Sequence, residues 1–161
     1  MGAEASFGLS VLLSFCAFGM VTILYILPCL RVMRREDAIT ALVVPHAFRF
    51  IGLSFLVPGV VSSSLPPAFA MPAAYGDLVA AILALIAALA LSIRTFWAIS
   101  IVWVFNVWGA VDLLLAVYQG QIGIGIGPGS LGAAFFIPTV VVPPLLVTHA
   151  LIFWLLLRPA R

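Results

Sequence analysis

"AITALVVPHAFRFIGLSFLVPGVVSS", Ala38–Ser63, sets a histidine and an arginine inside a run otherwise apolar enough to cross a bilayer. If the stretch is a span, the chain has five. Its surroundings favour that reading. Of 161 residues, 65% are hydrophobic and 7% charged, with mean hydropathy +1.33, too little charge to cover a water-facing surface. The class implied is an all-α polytopic membrane protein, a single bundle of five transmembrane helices. Its spans fall near residues 7–30, 38–63, 77–93, 95–118 and 136–157. The runs are too long for strands and lack period-two alternation, which argues against a β-barrel.

All seven basic residues are arginine. Arg31, Arg34 and Arg35 lie between spans one and two, Arg94 between three and four, and Arg158 and Arg161 after span five. With five spans these places share one side, which the positive-inside rule makes cytoplasmic. The N-terminus is then outside and the C-terminus inside. Only Arg49 stands apart. The net charge of +2, with no basic patch on a soluble face, argues against nucleic acid.

The start "MGAEAS" fits a myristoylation pattern, but a basic flank is missing and the topology puts it outside the cytosol. A cleavable signal peptide is not expected, because no positive region precedes the first span. Cys16 and Cys29, about 20 Å apart on one helix, cannot pair with each other. The segments 62–76, "SSSLPPAFAMPAAYG", and 120–130, "GQIGIGIGPGS", read as outer loops lying on the interface or dipping inward. For the glycine run, a selectivity filter is the alternative to a flexible interfacial loop. Its spacing does not suit a nucleotide. Ala80, Ala84 and Ala88 form a small-residue ridge for close helix packing.

Ionisable groups within spans are costly and usually face the bundle interior. The candidates are His46, Arg49, Asn106, Asp112 and His149, with Asp77 at the outer mouth of span three. If span two starts near Ala38, Arg49 lies about 15 Å deep, near the midplane. If a helix starts at Pro45 instead, Arg49 snorkels to the cytosolic headgroups. Asn106, Gly109 and Asp112 share a stripe of span four, where Gly109 lets a neighbour approach the backbone. Asn106 matches the depth of Arg49, and an Arg49–Asp112 pair requires the arginine to reach outward. Pro143 and Pro144 are expected to kink span five before His149. His46 and His149 lie at equal depth, as a bis-histidine haem b would require.

The pieces "PHAFRFIG", "LPPAFAMPAAYGD" and "FNVWGAVDLL" resemble small multi-pass inner-membrane proteins of bacteria that have no assigned activity. The resemblance implies location in the bacterial inner membrane, and it groups Arg49, Asp77, Asn106 and Asp112 as one set.

Polar groups converging in an apolar bundle suit an amphiphilic or apolar small-molecule ligand held between spans two, four and five. There Arg49 would engage an anionic or carbonyl group, with Asn106 and Asp112 orienting it. A catalytic version would use Asp112, Asp77 or a histidine as proton carrier. The alternatives are a proton-coupled carrier, an accessory subunit of a membrane complex or homo-oligomer, and the haem b protein. No hydrolase or metal-site motif is present, and Ser54, His149 and Asp112 have no triad-like spacing.

Overall fold

A computed structural model describes residues 2–158, so Met1 of the myristoylation pattern and Arg161 of the charge pattern lie outside the described residues. Five helices are long and apolar enough to cross a membrane: α1 (Ala3–Val32), α2 (Arg35–Leu56), α3 (Pro67–Ser92), α4 (Ala98–Gly123) and α5 (Ile137–Leu156). No strand occurs among the described residues; one isolated bridge joins Pro58 and Val61.

Helix α1 is apolar on every side and so has no stripe that must be hidden. It runs along α5 at the margin of the bundle and buries only Thr22 and Leu30. Cys16 and Cys29 are both free and exposed on it. The other four helices form the core. Helix α3 buries Ala73, Asp77, Ala80, Ala84 and Ala87 at spacings of three and four, and these small side chains admit α2 and α4 closely. Ala88 of the expected ridge is only partly buried.

The third span begins ten residues earlier than the sequence reading placed it. Pro66 is extended and Pro67 occupies the first helical turn, where proline's fixed φ and missing N–H cost nothing. The stretch "PAFAMPAAYG" is therefore helix, not outer loop, and it lowers Asp77 from the mouth to about 15 Å inside α3. At its other end α3 closes with Arg94 N–H on Leu91 O and Thr95 N–H on Ala90 O, at 3.1 Å each. Arg94 takes the left-handed conformation (φ 53°) usually given to glycine at this position.

The glycine-rich run divides likewise. Its first part extends α4 as a π-turn to Gly123, and Pro128–Phe135 forms a 3-10 helix. That helix locks onto the α2–α3 connection, with Ser62 N–H on Ser130 O at 3.1 Å and Ala133 N–H on Val60 O at 2.8 Å. Gly132 (φ 53°) has its Cα against the Val60 carbonyl, so a side chain has neither the conformation nor the room.

Two apolar clusters result. One gathers Ile39, Val43, Ala84, Val102, Phe105 and Ile152; the other gathers Phe55, Phe69, Ala74, Leu131 and Ile137. Along α2, α3 and α5 the buried polar residues His46, Arg49, Asp77 and His149 fall between them.

Candidate functional site

Pro45 cannot donate to the Ala41 carbonyl, and from Val44 to Leu56 helix α2 tightens to 3-10 geometry. With three residues per turn, side chains three apart stand directly above one another. His46, Arg49, Gly52 and Phe55 are therefore the four buried residues of this stretch, aligned along one edge. In an α-helix the same four would fan around the axis. The local winding is what turns Arg49 into the bundle, where its side chain is 0% exposed.

Each face of the Arg49 guanidinium has a partner. Nε donates to Asp77 Oδ1 of α3 at 2.8 Å, and Nη2 donates to Asp112 Oδ2 of α4 at 2.6 Å. Nη1 donates to the Gly109 carbonyl at 3.1 Å and faces His149 Nε2 of α5 at 3.5 Å. One cation thus ties four helices together. His149 Nδ1 lies 2.7 Å from Asn106 Oδ1, and Asn106 Nδ2 donates to the His149 carbonyl at 3.2 Å. These contacts select one tautomer: Nδ1–H donates to Asn106, and the Nε2 lone pair faces the guanidinium.

Three glycines make the arrangement possible. A Cβ on Gly52 would collide with the Asp77 carboxylate, and one on Gly76 with that of Asp112. On Gly109 it would stand 2.6 Å from His149 Cε1 and 2.8 Å from Arg49 Nη1. In each place a polar side chain lies in the volume that another residue's side chain would fill. Sequence reasoning singled out Gly109 alone. Gly52 was detectable from its three-residue spacing after His46 and Arg49, and Gly76 from its place four residues before Ala80 on the small-residue ridge.

The six candidate residues converge, with three changes from expectation. Asp77 joins the centre rather than the mouth, because α3 starts early. Arg49 reaches Asp112 and not Asn106, whose amide is committed to His149. Between spans two, four and five, each nitrogen of the fully buried Arg49 guanidinium already has a protein partner where an anionic or carbonyl ligand group was expected.

The two histidines meet, with ring centroids 4.2 Å apart, and Phe105 packs on both. A bis-histidine haem must lie between its ligands. Rings in direct contact leave no gap for a macrocycle, so the pair does not fit haem b. His46 Nε2 instead lies 2.9 Å from Thr148 Oγ1, while its Nδ1 has no partner among the described residues. Thr148 also donates to the Pro144 carbonyl at 3.0 Å. Upstream, Thr139 donates to Phe135 O at 2.7 Å, and a π-turn over Ile137–Val141 precedes Pro143 and Pro144, which sit in the first turn of the α-helical part that follows. No group of three potential metal ligands occurs among the described residues.

Asp112 alone of the ion cluster approaches the surface. Its side chain is 17% exposed against 0% for Arg49 and 10% for Asp77. It ends in a shallow, open apolar groove of about 610 Å³ formed by side chains of α4 alone, among them Trp103, Val107, Trp108, Val111 and Leu115.

Residues 6–157 match a family described as a domain of unknown function, DUF8737. The chain belongs to this family. No curated protein and no solved structure matches it. In this DUF8737 domain the match runs from the second turn of α1 to the end of α5, so the ion cluster and the groove both lie within it.

Proposed function

We propose that this DUF8737 protein is an integral protein of the bacterial inner membrane, with its N-terminus outside and its C-terminus in the cytosol. In this reading it binds an amphiphilic small molecule in the groove on α4, with the molecule's polar head at Asp112. The five apolar helices and the arginines gathered beyond the ends of α1, α3 and α5 support the topology.

The observation that carries the function is the meeting of one partly exposed carboxylate with an otherwise apolar groove between Trp103 and Trp108. Its electrostatics specify the head group. Two carboxylates share one guanidinium, so with both ionised one negative charge stays unmatched in an apolar setting. A cationic or strongly hydrogen-bond-donating head compensates that charge, whereas an anionic head would add to it. Arg49 and Asp77 then hold Asp112 in place without touching the ligand.

The same unmatched charge supports a second reading, a proton carrier in which Asp112 exchanges protons with a substrate or with water. The test uses brominated amphiphiles of equal chain length, one amine and one carboxylic acid, with quenching of tryptophan fluorescence as readout. The amine is expected to quench saturably and the acid only as it does in protein-free bilayers. In Asp112→Asn the saturable component disappears while helical circular dichroism stays. Equal quenching by both amphiphiles contradicts the ligand reading. Unchanged proton flux in proteoliposomes of Asp112→Asn removes the carrier reading.

A further inference from the structure

We infer that a second site, at the arginine-rich end of the bundle, binds the phosphate group of an anionic phospholipid or of a free phosphate ester. It shares no lining residue with the groove on α4 and does not depend on that reading. A cavity of about 790 Å³ opens where the α1–α2 turn meets the start of α4 and the end of α5. Arg31, Arg34, Arg35 and Arg158 line it, and Glu36 is the single acidic residue among its walls.

The four arginines are not equivalent. Arg35 donates from Nε to Leu155 O at 2.9 Å and from Nη2 to Leu156 O at 2.8 Å, closing the last carbonyls of α5. That role is structural and fixes the cavity wall. Arg158 sits over the Trp154 ring, its guanidinium carbon 3.6 Å from the ring centroid, a contact that consumes none of its hydrogen bonds. Arg34 meets Glu36 only at 3.7 Å, both side chains being largely exposed. Arg31 makes no ion pair or side-chain hydrogen bond among the described residues.

Three guanidinium forks are thus held around one space with little of their donor capacity used. Guanidinium pairs phosphate in a planar, two-bond geometry that a lone ammonium cannot match. The first turn of α2 opens on the same cavity, but Glu36 and Asp37 in that turn offset the partial positive charge of its N–H groups, so the arginines alone supply the positive field. The remaining wall, from Leu30, Ile99 and Leu155, is apolar and suits the glycerol and upper acyl carbons of a lipid. A basic pocket between helices at a bundle end is a recurring form of lipid headgroup recognition.

The experiment uses the full chain in neutral detergent. Native mass spectrometry measures retention of a phosphatidylglycerol against a phosphatidylcholine of the same acyl chains, and calorimetry measures binding of inorganic phosphate. The expected result is selective retention of phosphatidylglycerol, reduced about tenfold in the double variant Arg31→Gln/Arg158→Gln. Both residues are exposed, so the variant is expected to keep the wild-type melting midpoint; should it not, Arg31→Lys alone, which keeps the charge but loses the fork, must weaken retention. Retention of phosphatidylglycerol without phosphate binding identifies a lipid site, and binding of inorganic phosphate identifies a soluble phosphate. Equal retention of both lipids with no phosphate binding overturns the proposal, as does undiminished retention in folded variants.

Discussion

Arg49 and Arg31 are the same residue in opposite circumstances, and the contrast separates what holds this protein together from what it presents. Arg49 sits at the centre of four helices with two carboxylates, a backbone carbonyl and a histidine around it. Arg31 stands at the end of the bundle with an exposed side chain and no such partner among the described residues. A buried guanidinium is tolerated only when its donors and charge are answered, so the centre is closed and specific. An exposed one costs nothing to leave open, so the bundle end is free to meet a ligand.

Substitutions that break this contrast are expected to differ most at the centre. Arg49→Leu leaves Asp77 and Asp112 without their cation and is expected to destabilise by about 3–5 kcal/mol, enough to abolish a monodisperse size-exclusion peak. Adding Asp77→Leu and Asp112→Leu to it removes the stranded charges and is expected to recover folded protein. Recovery shows that the charges and not the cavity cause the loss.

Gly109→Ala sharpens the comparison by steric means alone. The new Cβ, 2.6 Å from His149 Cε1 and 2.8 Å from Arg49 Nη1, forces a shift costing about 1–3 kcal/mol, read as a lowered unfolding temperature. Asn106→Ala leaves the His149 Nδ1–H without its acceptor and is expected to cost about 1–3 kcal/mol, while Asn106→Asp retains an acceptor there. Asp112→Asn keeps shape and partial exposure, so its stability changes least among these while saturable amine quenching is lost. Arg31→Gln should leave the melting midpoint unmoved and act only on phosphatidylglycerol retention.

Much of the architecture was legible because the pattern admits few alternatives: five apolar runs of helical length without period-two alternation read as helices. Arg49 was legible as the arginine that fits no end of the bundle. Asp77 was misplaced because three prolines and small residues in 62–76 resemble a loop, whereas Pro66 and Pro67 start a helix. The 3-10 winding of Val44–Leu56 was hidden, since an apolar run does not reveal its own pitch, and with it went the alignment of His46, Arg49 and Gly52. Gly76 was missed because it lies in the stretch read as a loop, one step before the ridge Ala80–Ala84–Ala88, and its neighbour Asp112 comes from another helix. The pairing of Arg49 was underestimated on the same point, because the misplaced Asp77 is the second carboxylate on its guanidinium.

Arginine footprinting with phenylglyoxal, read by mass spectrometry on the folded protein in bilayers, tests the contrast at its root. Arg31, Arg34 and Arg158 are expected to be modified readily, while Arg49 stays unreacted until the protein is unfolded. Modification of Arg49 at the rate of Arg31 in the folded protein would mean that it snorkels to the surface, and the buried ion cluster that positions Asp112 would not exist.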